Sequence, residues 1–246
     1  LEWKVAHDGD GPDAMNHDAA LNLIARANQR GGRMLSVIDL VQRGTLTRAQ
    51  AAWVVARIEA GSGWLVGARP GGAGKTAVMC ALMGFLPPAK TVRLTLPWAG
   101  WEQSRPGECV VSYEISPGEY KAYVWGDAVR RMTALGAAGC RIVSNLHADT
   151  LDEARGQVVR DCGAPEEHFA AFGMFLAVRV TRAGYEARRV VESIHYHDRG
   201  AWHAFDETTH SPTAREKEIA GFLDDCMAEG VLLVEEVRRK WLEGLR

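Results

Sequence analysis

The chain has 246 residues, of which 47% are hydrophobic and 24% charged, close to the average of soluble globular proteins, which excludes disordered and fibrous classes. Its 29 Lys and Arg stand against 31 Asp and Glu, a formal net charge of -2, so no global basic signature points to nucleic acid or an anionic membrane surface. Cys80, Cys109, Cys140, Cys162 and Cys226 are odd in number and lack C-x-x-C spacing, which disfavours a disulfide framework and a zinc site and fits a reducing cytoplasm.

The chain opens on Leu1 rather than Met, with no charged-then-apolar leader, which leaves room for sequence ahead of it. Asp18 precedes an apolar pattern at Leu21, Ile24 and Ala25 that Gly31-Gly32 breaks, predicting a helix with Asp18 as its N-cap. Leu35, Ile38, Leu40 and Val41 predict a second helix ending at Gly44. Ala51, Val54, Val55 and Ile58 predict a third, behind Thr47 and before Gly61. After Gly63 the short apolar run Trp64-Leu65-Val66 reads as a strand buried on both faces of a parallel sheet. From Gly74 onward Val78, Leu82, Phe85 and Leu86 recur at helical spacing until Pro87-Pro88.

Further strands are expected at Val92 to Leu96, Cys109 to Ile115, Arg141 to Leu146, Leu176 to Thr181 and Val190 to Tyr196, and helices near Asp127 to Leu135 and Leu151 to Val159. This alternation predicts an α/β fold with a mainly parallel sheet. Ala214 to Arg246 reads as two helices separated by Gly230, while Trp98 to Gly107 is the least regular stretch. The longest apolar run, around Phe172 to Val178, falls short of the ~20 residues a membrane span needs. The division expected is a helical segment over residues 1–60, a core over 61–212 and a helical appendage over 213–246.

Between the strand and helix flanking it, Arg69-Pro70-Gly71-Gly72-Ala73-Gly74-Lys75-Thr76 matches the end of G-x-x-x-x-G-K-[ST], with Arg69 in place of the motif's first glycine. Glycines let the backbone wrap so that several N–H groups face phosphate oxygens, and the helix N-terminus adds partial positive charge. The loop, Pro70 to Ala77, is thus expected to bind the triphosphate of ATP. Lys75 would reach the β and γ phosphates, and Thr76 would offer its hydroxyl to Mg²⁺.

The string R-P-G-G-A-G-K-T resembles the G-P-T-G-S-G-K-[ST] loop of the type II/type IV secretion and pilus ATPase superfamily of P-loop NTPases. Glu108 to Ile115, E-C-V-V-S-Y-E-I, is similar to that family's Walker B strand, with Glu114 as the acid beside the phosphates. Gly139 to Asp149 resembles its histidine box, where His147 matches the second histidine and Cys140 stands at the first. The resemblance spans roughly residues 40 to 205 by pattern; no clear acidic box occurs in Leu94 to Gln103, and extra residues lie between Glu114 and Gly139. It implies an ATPase of divergent type, assembled as a homo-oligomeric ring such as a hexamer, moving a secretion or pilus apparatus from the cytoplasmic side of the inner membrane. Relatives carry a separate N-terminal domain that closes over the nucleotide, whereas residues 1–60 here read as mainly helical.

A carboxylate at the end of a buried strand beside the loop can orient the attacking water or a water on magnesium, so Glu114 is a catalytic and metal-side candidate; the alternative is a strand-end ion pair. His147 can contact the γ-phosphate or serve as a hydrogen-bonded structural residue. His195 and His197 share a strand face with His203 nearby, but Asp198 with Gly200 reads as a hairpin turn and no metal site is expected there. Trp98, Trp101, Tyr113, Tyr120, Tyr123 and Trp125 suit core packing and loop anchoring, or a partner surface. The basic groups Arg188-Arg189 and Arg238-Arg239-Lys240 are expected on solvated faces. Arg130, Arg131, Arg182 and Arg188 are candidates for the arginine that completes the site. Beside the motor ATPase stands a nucleotide-dependent switch with weak or no hydrolysis; a DNA-directed motor is disfavoured by the charge.

Overall fold

The computed structural model describes residues 15–27, 32–69, 71–87, 91–183 and 186–244. Among them, nine strands form one sheet. They are β1 (Trp64–Gly67), β2 (Val92–Leu94), β3 (Cys109–Val111), β4 (Glu114–Ile115), β5 (Tyr123–Val124), β6 (Arg141–Leu146), β7 (Met174–Ala183), β8 (Glu186–Asp198) and β9 (Ala201–Ala204). The order is β2-β3-β6-β1-β7-β8-β9, with β4 between β6 and β5 off this path. All pairs from β2 to β7, and those of β4, are parallel, while β7-β8-β9 is antiparallel. The expected α/β class with a mainly parallel sheet is therefore present.

Strand side chains alternate between faces, and the sheet is covered on both. Trp64 and Val66 join an apolar cluster with α1 (Met15–Ala27), α2 (Val37–Gln42), α3 (Arg48–Glu59), α4 (Lys75–Met83), α8 (Ala214–Ala228) and α9 (Val234–Gly244). Leu65 lies in the opposite cluster, with α5 (Asp127–Ala137), α6 (Leu151–Arg155) and α7 (Glu166–Phe169). Burial on both faces explains why β1 reads as a continuous apolar run; β6 is equally buried but carries Arg141, Ser144 and Asn145. None of the described helices is long and apolar enough to cross a membrane.

Side-chain caps set the start of several described helices. Ser36 caps α2 and Thr47 caps α3, each in a reciprocal box, with Asp39 and Gln50 respectively. Asp18 is not the N-cap of α1: the helix already runs from Met15, so Asp18 lies in its body, and Gly31 lies outside the described residues. The helix behind the phosphate loop stops at Met83, with Phe85 and Leu86 buried in the turn after it. The strand expected over Cys109 to Ile115 breaks into β3 and β4, because the Ser112 hydroxyl turns onto the Glu114 and Ala122 carbonyls, each at 3.1 Å. The helix expected to run on to Val159 widens after Arg155 into a π-helical segment, Gly156–Asp161.

The basic run near the C-terminus departs from its expected solvated face. Arg239 pairs with Glu243 and Lys240 with Glu229 at the surface, but Arg238 is only 4% exposed. Its Nη1 donates to the carbonyls of Gly84 at 2.9 Å and Leu86 at 2.8 Å, satisfying oxygens left free where α4 ends. Arg238→Met should cost about 2–4 kcal/mol of stability, since two buried acceptors lose their donor. A urea midpoint unchanged from wild type would show that water replaces the guanidinium there.

Candidate functional site

The carboxyl ends of β1, β4 and β6 lie side by side, the place where open parallel sheets bind ligands. Register fixes this: Gly67 of β1 pairs with Leu146 of β6, and Ile115 of β4 pairs with the same Leu146. The phosphate loop thus leaves β1 next to His147 and Glu114. At Gly67 a Cβ would stand 2.4 Å from the Ala148 carbonyl oxygen and 2.6 Å from the Phe175 ring, so only glycine admits the close approach of the β6 exit to the loop. At the other end of the loop Gly74, at φ 97, turns the chain into α4 from the left-handed region.

Lys75 opens α4 and is 7% exposed. Its Nζ donates to the Ala68 carbonyl at 3.0 Å and lies 2.9 Å from Glu114 Oε1 and 3.2 Å from His147 Nδ1. His147 Nε2 is 2.8 Å from the same Oε1, and its Nδ1 is 3.0 Å from the Arg69 carbonyl. The three residues singled out from the sequence are therefore in mutual contact. Glu114 is 9% exposed. Its two oxygens differ: Oε2 accepts a hydrogen bond from the Tyr123 hydroxyl at 2.9 Å, whereas the buried Oε1 receives no well-directed hydrogen bond from Lys75 or His147. A buried carboxylate oxygen with unspent acceptor capacity, beside a lysine and a helix N-terminus, suits a water or a metal-bound water next to phosphate. Thr76 follows half-buried on the first turn of α4, so the residues present fit magnesium held through Thr76 and Glu114 together with phosphate oxygens. Pro70 lies outside the described residues.

Arg69 at the first-glycine position does not obstruct the loop. Its φ is not positive, so the backbone there admits a side chain. The guanidinium turns outward to Glu153, with Asp149 Oδ2 3.8 Å from its Nε, while its backbone N–H donates to Asp149 Oδ1 at 2.8 Å. Cys140 immediately precedes β6, at the other end of the strand from His147, and its thiol donates to the Arg105 carbonyl.

Beside the loop opens a cleft of about 740 Å³, walled by Gly72 to Gly74, Leu40, Val178 and the arginines Arg43, Arg188 and Arg189. Arg189 Nη2 is 3.4 Å from the Gly72 carbonyl. A second cleft, of about 610 Å³, lies against the outer part of β7 and β8 and is walled by Asp149, Asp152 and Glu192; its Arg179 is held by Glu192 at 2.7 Å. The charge of the first cleft suits a polyanion and that of the second opposes one.

Of the arginine candidates, Arg130 and Arg131 are engaged on α5, with Asp127 and the Cys162 carbonyl and with Asp127 and Glu102 respectively. The Arg182 side chain lies outside the described residues, and Arg188 faces the first cleft. Tyr123, Arg43 and Arg189 were not singled out for this site from the sequence, since no motif or period marks them. His195 packs on Phe175, His197 on Trp202, and His203 Nε2 lies 3.3 Å from the Asp198 carbonyl across the Arg199-Gly200 turn. Of the aromatic group, Trp101 and Tyr113 are buried, while Trp98 and Tyr120 are exposed.

Comparison with protein-family models finds no match, and comparison with curated proteins finds none either. Solved structures that the chain is similar to include two ATPases. The VirB11 ATPase from the Brucella suis type IV secretion system, in complex with sulphate, is 12% identical over 78% of this chain and 64% of its own, with a TM-score of 0.42. The Legionella pneumophila ATPase DotB is 12% identical with the same coverages and a TM-score of 0.39. This chain spans less than two thirds of the length of each.

Proposed function

We propose that the chain binds Mg-ATP on the loop from Arg69 to Thr76 and hydrolyses it, as a divergent ATPase of the type II/type IV secretion and pilus kind. In this reading subunits join in a ring in the cytoplasm, and turnover moves a partner assembly. The observation that carries it is the convergence of Lys75, Glu114 and His147 at the mouth of three parallel strands, with Lys75 2.9 Å and His147 2.8 Å from one carboxylate oxygen. Residues 61–212 serve as the nucleotide-binding core, with the helices of 1–60 and 213–246 packed against it.

Lys75 exchanges its contacts with Ala68 and Glu114 for β and γ phosphate oxygens, and backbone N–H groups of Gly71 to Ala77 hold the same group from the helix end. Glu114, released from the lysine, orients the attacking water through Oε1. Thr76 and Glu114 would hold magnesium, which when bound would supply positive charge to offset that of the phosphates. The nucleoside end occupies the 740 Å³ cleft, where guanidinium planes can stack on a base and offset phosphate charge.

Phosphate release from Mg-ATP, with light scattering in the presence and absence of a non-hydrolysable ATP analogue, tests reaction and ring together. Hydrolysis is the expected result, and its absence with ATP binding retained establishes the nucleotide-dependent switch instead. That second reading is favoured by one feature: the Lys75 ammonium is already engaged, donating to the Ala68 carbonyl and lying 2.9 Å from Glu114 Oε1, contacts that ATP must displace.

His147→Ala should lower discrimination between ATP and ADP by about 1–3 kcal/mol, the worth of a hydrogen bond to a charged partner, with ADP affinity nearly unchanged. His147 is 42% exposed at its side chain, so the ring has room to turn from Glu114 to a γ-phosphate. Titrating both nucleotides decides it: an unchanged affinity ratio removes His147 from phosphate recognition.

A further inference from the structure

Ala122 and Arg199 are the non-glycine residues with positive φ among those described, at 58 and 49. Arg199 sits in the two-residue β8–β9 hairpin turn, where that conformation is ordinary. Ala122 leads into β5, where an L side chain in the left-handed region carries a steric cost. Such a conformation persists only when its surroundings over-determine it, and the Ala122 carbonyl shows how. It accepts from the Tyr113 N–H at 2.9 Å, the Ser112 hydroxyl at 3.1 Å and the Thr95 hydroxyl at 3.1 Å. One donor follows β2, and two come from the link between β3 and β4.

The clamp aims the next residue. Tyr123 pairs in register with Glu114 across the short parallel β4–β5 ladder, and its hydroxyl donates to Glu114 Oε2 at 2.9 Å. An ordinary phenol is protonated at neutral pH, so Tyr123 is available as the donor to that oxygen. The Tyr120 ring lies over it, with centroids 5.1 Å apart.

We propose that Tyr123 is a positioning residue for Glu114: its phenol holds one carboxylate oxygen so that the other is presented to Lys75, His147 and the attacking water. The inference rests on the ATPase reading and adds to it a residue supplied by the extra segment between Glu114 and the β6 strand. A carboxylate free to rotate would spend its acceptor capacity on Lys75 alone. Fixed at Oε2, it keeps Oε1 turned toward Lys75 and His147, beside the phosphate loop.

Steady-state hydrolysis of Mg-ATP by wild type, Tyr123→Phe, Glu114→Gln and the double variant tests this, with ATP and ADP affinities measured by calorimetry. Tyr123→Phe is expected to lower kcat about tenfold, as loss of one hydrogen bond to a charged group does. KM and ADP affinity should stay within about twofold. In the Glu114→Gln background the same change should add less than about twofold, because the group it acts through is already disabled. Tyr120→Phe should keep the wild-type kcat. A Tyr123→Phe enzyme as fast as wild type, or one that loses the same factor in both backgrounds, overturns the positioning role while the ATPase reading stands. A wild type that does not hydrolyse Mg-ATP overturns both.

Discussion

Lys75→Ala is expected to leave no measurable ATP turnover and to weaken ATP binding by at least about tenfold, because Lys75 is the cation that the loop itself sets against the β and γ phosphates. The backbone N–H groups at the start of α4 remain, so residual affinity for the polyphosphate should persist. The variant should fold, with stability lowered by about 1–3 kcal/mol. Removing the ammonium leaves Glu114 buried at 9% exposure without its closest cation and frees the Ala68 carbonyl. His147 remains 2.8 Å from the carboxylate and is open to water, which keeps the cost below that of stranding a fully enclosed charge. Calorimetric titration with ATP, phosphate release and urea unfolding read the three effects separately. Wild-type turnover in this variant would mean that the loop is not the phosphate site.

How much of this was legible depended on whether the determinant is local. The phosphate loop is a string whose strand and helix neighbours are adjacent in sequence, so Trp64 to Met83 declared itself. His147 was legible at one remove, through the resemblance of Gly139 to Asp149 to the histidine box; the hydrophobic pattern would not have marked it, since β6 is wholly buried yet carries Arg141, Ser144 and Asn145. Arg238 was readable and was misread as part of a basic cluster. The buried positions of α9 are Val234, Val237, Arg238 and Trp241, the i, i+3, i+4, i+7 stripe of a core-facing helix, and periodicity outranks composition in saying where a side chain points.

Tyr123 could not be read in that way. Its place depends on two strands of two residues each, too short to show a period, and on a left-handed Ala122 held by donors from distant positions. The break between β3 and β4 was hidden for a similar reason. E-C-V-V-S-Y-E-I is apolar enough to pass for one strand, and the jog arises from where Ser112 finds acceptors, which hydrophobic pattern does not record. The arginines of the first cleft come from the turn after α2 and from β8, segments brought together only by the sheet.

Glu114→Gln should separate binding from chemistry: ATP affinity stays near wild type while turnover falls about 100-fold or more, since the amide keeps the shape but loses the charge that polarises water. The local geometry supports retention of structure. A tyrosine hydroxyl can donate or accept, so Tyr123 can meet either end of the amide at Oε2's place, and the other end faces Lys75 and His147. If the amide oxygen takes that inner position, Lys75 keeps a neutral acceptor. Its ammonium is then less strongly held by the protein and freer to engage phosphate, which is why binding should hold or strengthen slightly. This opposes the Lys75→Ala result, where binding and turnover fall together, so the pair of variants distinguishes a phosphate-binding cation from a water-orienting carboxylate. Titration with ATP and single-turnover hydrolysis, measured on the same preparation, settle the assignment. Equal losses in both quantities, or no loss in either, would return Glu114 to the part of a strand-end ion pair that steadies Lys75.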